Sequence, residues 1–425
     1  MISTIRNSDY IFHTPIQQRL GMLEAISIEE FLNDGTSLIA VFKREPVVIN
    51  YVTGHSTDLI HSAISNDCLI SIKAMKIIKA NVPKIISSIA NNKVLENIIQ
   101  NINVDESPSK VSKLAEIVGI CLDMFPENIH NTFKNLNQFL FVADNPDAFS
   151  LLDSILCSGK SIFMDFLSST NFLADLIEEI KKWLFEPNAD DSERIVNLYK
   201  LLLGLYNVSY FASECFKPSI IQIATDYFNH DYKNVLAMQW KLVNTILTLN
   251  PKVDFSKMYP IAISVLESVN SNQYLFEYQS EIIHFLTLFA SLESVPNNID
   301  VDKLVDVMLN IYLKFPEHSF ALTEICNFMI TTIEIKEFRN SIFTQFLPLI
   351  MKTFENNGRT NQSIFSKEYL RQVLDLCNSD DEFRKQYEEH NFSVIQAQDL
   401  FKNNNKILTS NYGSYVSNIP RYISI

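Results

Sequence analysis

Apolar residues recur at steps of three and four along most of the chain. Ile195, Leu198, Leu202 and Leu205 follow a 3-4-3 spacing that lines one face of a helix. Leu236, Trp240, Val243 and Leu247 do the same, as do Val301, Leu304, Val305 and Leu309. Strict alternation of apolar and polar residues over a strand length is hard to find. The pattern predicts an all-α protein.

Prolines supply a longer period. Pro46, Pro83, Pro126, Pro218, Pro260, Pro316 and Pro348 each precede an apolar helical run. Proline suits the first turn of a helix, where its missing N–H costs nothing, and it drives the preceding residue out of the helical region. The steps between these prolines are 37, 43, 92, 42, 56 and 32 residues. Most lie near the period of armadillo/HEAT repeats, and the step of 92 reads as two units. Each such unit buries a face only by stacking on its neighbours. The chain is therefore expected to be an α-solenoid of armadillo/HEAT-like repeats. It divides into an N-terminal segment (1–26), the repeat array (27–402) and an irregular C-terminal tail (403–425). Within the array, Asn103–Ser109, Phe185–Ser192 and Ser294–Asp300 read as polar turns between helices.

Composition narrows the alternatives. Eight glycines in 425 residues leave a sandwich, a barrel or a dinucleotide-binding fold short of turn residues. A net charge of −14 disfavours nucleic acid and anionic membrane as partners. Six scattered cysteines without a CxxC pair read as buried free thiols in a reducing compartment, cytosol or nucleus. The N-terminus lacks the apolar core of a signal peptide, and no run approaches the length of a membrane span.

The search for reaction chemistry finds no complete motif. SGKS at Ser158–Ser161 lacks the upstream glycine of a phosphate loop, since Ser154 occupies that place. A helix C-cap explains Gly159 better. No HExxH or HxxxH pairs the histidines, and the spacing of His55, His61 and Cys68 does not share one helix face. Neighbouring carboxylates such as Glu178 and Glu179 point in different directions on a helix. The expectation is a noncatalytic chain with no cofactor and no metal.

One stretch opposes the acidic average. Lys73, Lys76, Lys79 and Lys84 occur with no acidic residue among them, and the first three fan over one side of a helix. They are either a solvated face or a docking rim for an acidic partner.

Three stretches between residues 27 and 156 carry a family resemblance. The first is SIEEFL followed by SLIAVFKREPVVINYVTG (Ser37–Gly54). The second is IKAMKIIKANVPKIISSIANNKVLENIIQNI (Ile72–Ile102). The third is SKLAEIVGICLDMFPENIHNTF (Ser112–Phe133), continued by LNQFLFVADNPDAFSLLDSIL (Leu136–Leu156). In pattern and order they resemble the SAPS-domain family, the regulatory subunits of protein phosphatase 6-type serine/threonine phosphatases. The family's glutamate after the first proline is Val47 here. The resemblance implies a regulatory or scaffold subunit that binds a phosphatase catalytic subunit and directs it to substrates, with a further scaffold protein as a third partner. The rival reading is an armadillo/HEAT adaptor for transport or the cytoskeleton, unrelated to phosphatases.

Overall fold

A computed structural model describes residues 26–34, 36–208, 211, 216–226, 230–269, 274–292, 300–355, 361–390 and 392–399. The N-terminal segment, apart from Ile26, and the C-terminal tail lie outside the described residues. Among the described residues every regular element is helical and none is a strand. The contacts divide the chain into two compact units, 1–238 and 239–425.

Unit 1 opens with α1 (Ile28–Asn33), α2 (Ser37–Phe42), α3 (Pro46–Gly54), α4 (Ser56–Ala63) and α5 (Cys68–Lys79). It continues with α6 (Pro83–Ala90), α7 (Lys93–Gln100) and α8 (Pro108–Met124). Two 3-10 segments, Pro126–His130 and Leu136–Val142, lead into α9 (Pro146–Cys157), α10 (Ser161–Ser169), α11 (Phe172–Phe185), α12 (Ser192–Tyr206) and α13 (Pro218–Thr225). α3 packs on α6, α6 on α8, α8 on α9 and α9 on α12, so these five helices form one stacked row. Their facing residues explain it: Ile85, Ile86 and Ile89 of α6, Leu114, Ile117 and Val118 of α8, and Ile195, Leu198, Leu202 and Leu205 of α12 are fully buried.

The division between the units falls inside α14 (Lys233–Leu249). Unit 2 continues with α15 (Met258–Ser268), α16 (Glu277–Ala290), α17 (Val301–Lys314), α18 (Ser319–Ile333) and α19 (Lys336–Ser341). A π turn over Ile342–Phe346 joins α19 to α20 (Leu347–Glu355), followed by α21 (Asn361–Ser379) and α22 (Asp381–Glu389). α16 packs on α18 and α18 on α21, and these helices start at residues 277, 319 and 361, two steps of 42. α15 packs on α17, and α17 on α19, as a second row. In the sequence pattern of α17, Leu304 and Val305 are buried while Val301 and Leu309 are half-buried, and Val307, Met308 and Ile311 complete the inner face. Leu236 of α14 is likewise half-buried, beside a fully buried Val235.

The prolines follow the expected rule only in part. Pro46, Pro83 and Pro218 stand at the first position of α3, α6 and α13. Pro126 opens a 3-10 turn, Pro260 sits at the third position of α15, and Pro316 lies in the turn before α18. Pro348 sits inside a continuous helical run, where its missing N–H and ring break the bond to residue 344, and the preceding turn is widened. Among the described residues four α-helices start within the 92-residue step, at Pro146, Ser161, Phe172 and Ser192, and Pro108 is a further proline-led start outside the series.

Asparagine and left-handed residues take over jobs that sequence patterns assign elsewhere. Asn145 caps α9 by accepting from the N–H groups of Asp147 (3.0 Å) and Ala148 (3.2 Å). Its amide also donates to Pro108 O (3.0 Å) and Ser112 Oγ (3.1 Å) on α8. Asn92 caps α7 and donates to Ser56 Oγ and Thr57 Oγ1 on α4. α2 ends on Arg44 at φ 56°, with Arg44 N–H bonded to Val41 O and Glu45 N–H to Ala40 O, and α5 ends on Asn81 at φ 57°. The first is a Schellman end made without glycine, and at the second the Asn81 N–H bonds to Ile78 O. Gly159, at φ 64°, follows the C-cap of α9, as the sequence leads one to expect.

Cys121, Cys326 and Cys377 are buried, and burial pushes each thiol up to about 12. Cys68 and Cys157 are exposed. No helix among the described residues is long and apolar enough to cross a membrane.

Candidate functional site

The lysine stretch occupies α5 and the start of α6. Asp67 starts α5 by accepting from the N–H groups of Leu69 (2.9 Å) and Ile70 (3.1 Å). Ser71, Ala74, Met75, Ile77 and Ile78 form its buried side. Lys76 and Lys79 stand in the last turn, where a positive charge complements the helix carbonyls. Asn81, Val82 and Pro83 then turn the chain into α6.

The four lysines do not make one uniform rim. Lys73 donates to Asn33 Oδ1 (3.3 Å) on α1. Lys79 pairs with Glu116 (2.6 Å) on α8. Lys84 donates to Asn50 Oδ1 (2.6 Å) on α3, and Lys76 is exposed. Three different helices thus hold three of the four side chains.

Beside these lysines the outer side of α5 is apolar. Leu69 is 69% exposed and Ile72 is 53% exposed. With Lys76, they lie at successive steps of three and four, one stripe along the helix. α2 packs on α5, and its Ile39 and Phe42 are each more than half exposed. Large exposed apolar residues rimmed by charge are the composition of a protein-docking face. Sequence reasoning singled out the lysines and missed Leu69 and Ile72. The segment CLISIKAMKIIK carries apolar residues on two sides of the helix, and only the packing tells which of them is covered.

Lys84 belongs to a different feature. A groove of about 630 Å3 opens between α3, α4, α6 and α7. Its cations are Lys84 and Lys93, and hydroxyls of Thr53, Ser56, Ser87 and Ser88 form its wall. The turn from α6 to α7 adds Asn91 and Asn92. Ser88 Oγ lies 3.0 Å from Ser56 Oγ and 3.1 Å from Thr53 O, and Asn92 Nδ2 donates to Ser56 Oγ (3.2 Å). That network fixes the floor.

In unit 2, Asn244 of α14 donates to Glu281 O (3.0 Å) and Glu281 Oε2 (2.9 Å) on α16. His284 Nδ1 lies 3.0 Å from Glu324 Oε2 on α18. Burial pushes the Glu281 carboxyl up, and the hydrogen bond to Glu324 holds the His284 imidazole above its ordinary value. Among the described residues no group of three or more His, Cys, Asp or Glu is placed to hold a metal ion. His55 instead packs its ring against Tyr51, tilted by 33° with centroids 4.3 Å apart, and Cys68 stands exposed at the start of α5. Comparison with protein-family models, with characterised proteins and with solved structures finds no match to this chain.

Proposed function

We propose that this chain is a noncatalytic binding subunit built as an armadillo/HEAT-type α-solenoid, and that its partner is the catalytic subunit of a protein phosphatase 6-type serine/threonine phosphatase. The stacked rows in each unit, with starts two steps of 42 apart in unit 2, support the architecture. The resemblance of residues 27–156 to SAPS-domain subunits supports the partner. The observation that carries the binding role is the outer face of α5 with α2. It leaves Leu69, Ile72, Ile39 and Phe42 in solvent and brings Lys76 and Lys79 beside them. A partner with an apolar patch and an acidic rim would cover this face. The apolar centre would supply affinity, and the lysines association rate and salt sensitivity. Holding a catalytic subunit on one surface and a substrate on another raises their effective concentration without new chemistry.

The test is titration of a purified phosphatase 6-type catalytic subunit against the full chain. Leu69→Glu with Ile72→Glu should abolish complex formation, and reversing Lys73, Lys76, Lys79 and Lys84 to Glu should weaken it and flatten its salt dependence. Both variants should keep a wild-type circular dichroism spectrum. A folded Leu69→Glu/Ile72→Glu variant that binds like wild type refutes the docking face. No binding by the wild-type chain refutes the phosphatase reading.

A further inference from the structure

The groove between α3, α4, α6 and α7 lies apart from the apolar stripe on α5 and calls for its own ligand. Its lining carries two positive charges and no carboxylate, in a chain of net charge −14. Elsewhere in unit 1, Lys79, Lys110, Lys134 and Lys181 each pair with a carboxylate, while Lys73, Lys113 and Lys200 meet neutral oxygens. Lys84 meets only the neutral Asn50 amide, and Lys93 has no hydrogen bond or ion pair among the described residues. Two carboxylates stand close by without lining the groove: Asp58 and Glu96 lie in the first turns of α4 and α7, and Glu96 is held by Lys134 at 2.7 Å.

The polar walls point the same way. The Ser56, Ser88 and Asn92 network is tied together before any ligand arrives, so little ordering remains for binding. Ser87 Oγ has no partner among the described residues and remains available as a donor. α4 and α7, eight residues each, both start at the groove, and His55 offers the first turn of α4 no side-chain acceptor. Asp58 and Glu96 in their first turns already answer the partial positive ends, and Asn92 caps α7, so the positive charge of the groove is that of the two lysines. The lining itself, two lysines among hydroxyls and amides, therefore favours an oxyanion.

The size of the groove chooses the carrier. At about 630 Å3 the groove is larger than one small ion, and it is a shallow depression open to solvent rather than an enclosed cavity, a form that suits an extended segment lying across it. No aromatic residue lines it to stack a nucleobase, and no aliphatic wall is present to receive an acyl chain. The side-chain amides of Asn91 and Asn92 can each donate to and accept from a peptide backbone. We propose that this groove binds a phosphoserine or phosphothreonine on an extended peptide segment of a partner protein. Lys84 and Lys93 would flank the phosphate, and the asparagines would hold the flanking backbone. The inference does not rest on the phosphatase reading.

Fluorescence anisotropy on the full chain tests it. The probe is a short uncharged peptide with one phosphoserine, compared with its unphosphorylated twin. Inorganic phosphate serves as competitor, and phosphatidylcholine vesicles with a phosphoinositide stand for a lipid headgroup. The phosphopeptide should bind at least about tenfold more tightly than its twin, and about tenfold more tightly than inorganic phosphate competes. Lys84→Glu with Lys93→Glu should weaken binding at least tenfold, and Lys84→Gln with Lys93→Gln less. Lys182→Glu, outside the groove and the α5 face, should leave it unchanged. Melting temperatures matching wild type show that each variant is folded. Equal binding of the two peptides, full binding by a folded double-Glu variant, or capture of vesicles without capture of the phosphopeptide would overturn the proposal.

Discussion

Asn145 does two jobs at once, and replacing it should separate them. It is 6% exposed. Its carbonyl oxygen caps α9 with two bonds, and its amide reaches Pro108 O and Ser112 Oγ on α8. Asn145→Ala loses the cap, worth about 1 kcal/mol. It also removes the two bonds to α8, worth together roughly 1–2 kcal/mol because the partners are only part-buried. The total is about 2–3 kcal/mol, which for a unit of this size lowers the melting temperature by roughly 5–10 °C. Asn145→Ser keeps an acceptor for the cap and cannot reach α8, so it should cost about half as much. Urea unfolding followed by circular dichroism reads this directly. The midpoint should fall in the order wild type, Ser, Ala, with an unchanged slope. A serine variant as stable as wild type would show that the bonds to α8 contribute nothing. An alanine variant within 0.5 kcal/mol of wild type would remove the cap argument as well, against an expected cost of about 1 kcal/mol for the cap alone.

Two further outcomes follow from the same reasoning. Arg44→Gly should stabilise the chain by about 0.5–1 kcal/mol, because glycine takes the left-handed conformation without the steric cost an arginine bears. Thermal melts should show Arg44→Ala no more stable than wild type, and equal gains from Gly and Ala would contradict the conformational explanation. His284 binds its proton more tightly folded than unfolded, so its stabilisation is complete below its ordinary value and fades as pH rises through the folded one. His284→Gln should therefore cost stability near about pH 6, by less than about 1 kcal/mol since the ring is partly exposed, and almost nothing near about pH 8.5. A cost independent of pH would mean that packing, not the pairing with Glu324, explains it.

What the sequence revealed and what it hid have a common physical root. Apolar spacing reports which side of a helix is covered when the other side is polar, and so Ile195, Leu198, Leu202 and Leu205 are all buried as read. α5 is apolar on two sides, and its exposed stripe could not be told from its buried one. Proline fixes its own φ and removes a donor, but it does not say whether a helix begins there. Pro46 and Pro83 begin helices, while Pro348 lies within one whose preceding turn is widened. The starts at Pro108 and Pro146 were legible in the Ser107–Pro108 and Asn145–Pro146 pairs, a capping residue followed by proline. The groove was not legible, because Lys84, Ser56 and Asn92 meet only through tertiary packing.

The buried thiols give the chain a chemical clock for its own unfolding. A thiol held near 12 is almost wholly protonated at neutral pH, and only the thiolate reacts with an alkylating reagent. Cys121 reports on unit 1, and Cys326 and Cys377 report on unit 2. Each stays silent until the helices around it part. Cys68 and Cys157 are exposed and react from the native state, marking the start of the record. A timed pulse of alkylation followed by peptide mass mapping would then record the order in which the two units open, with no substitution made in the chain.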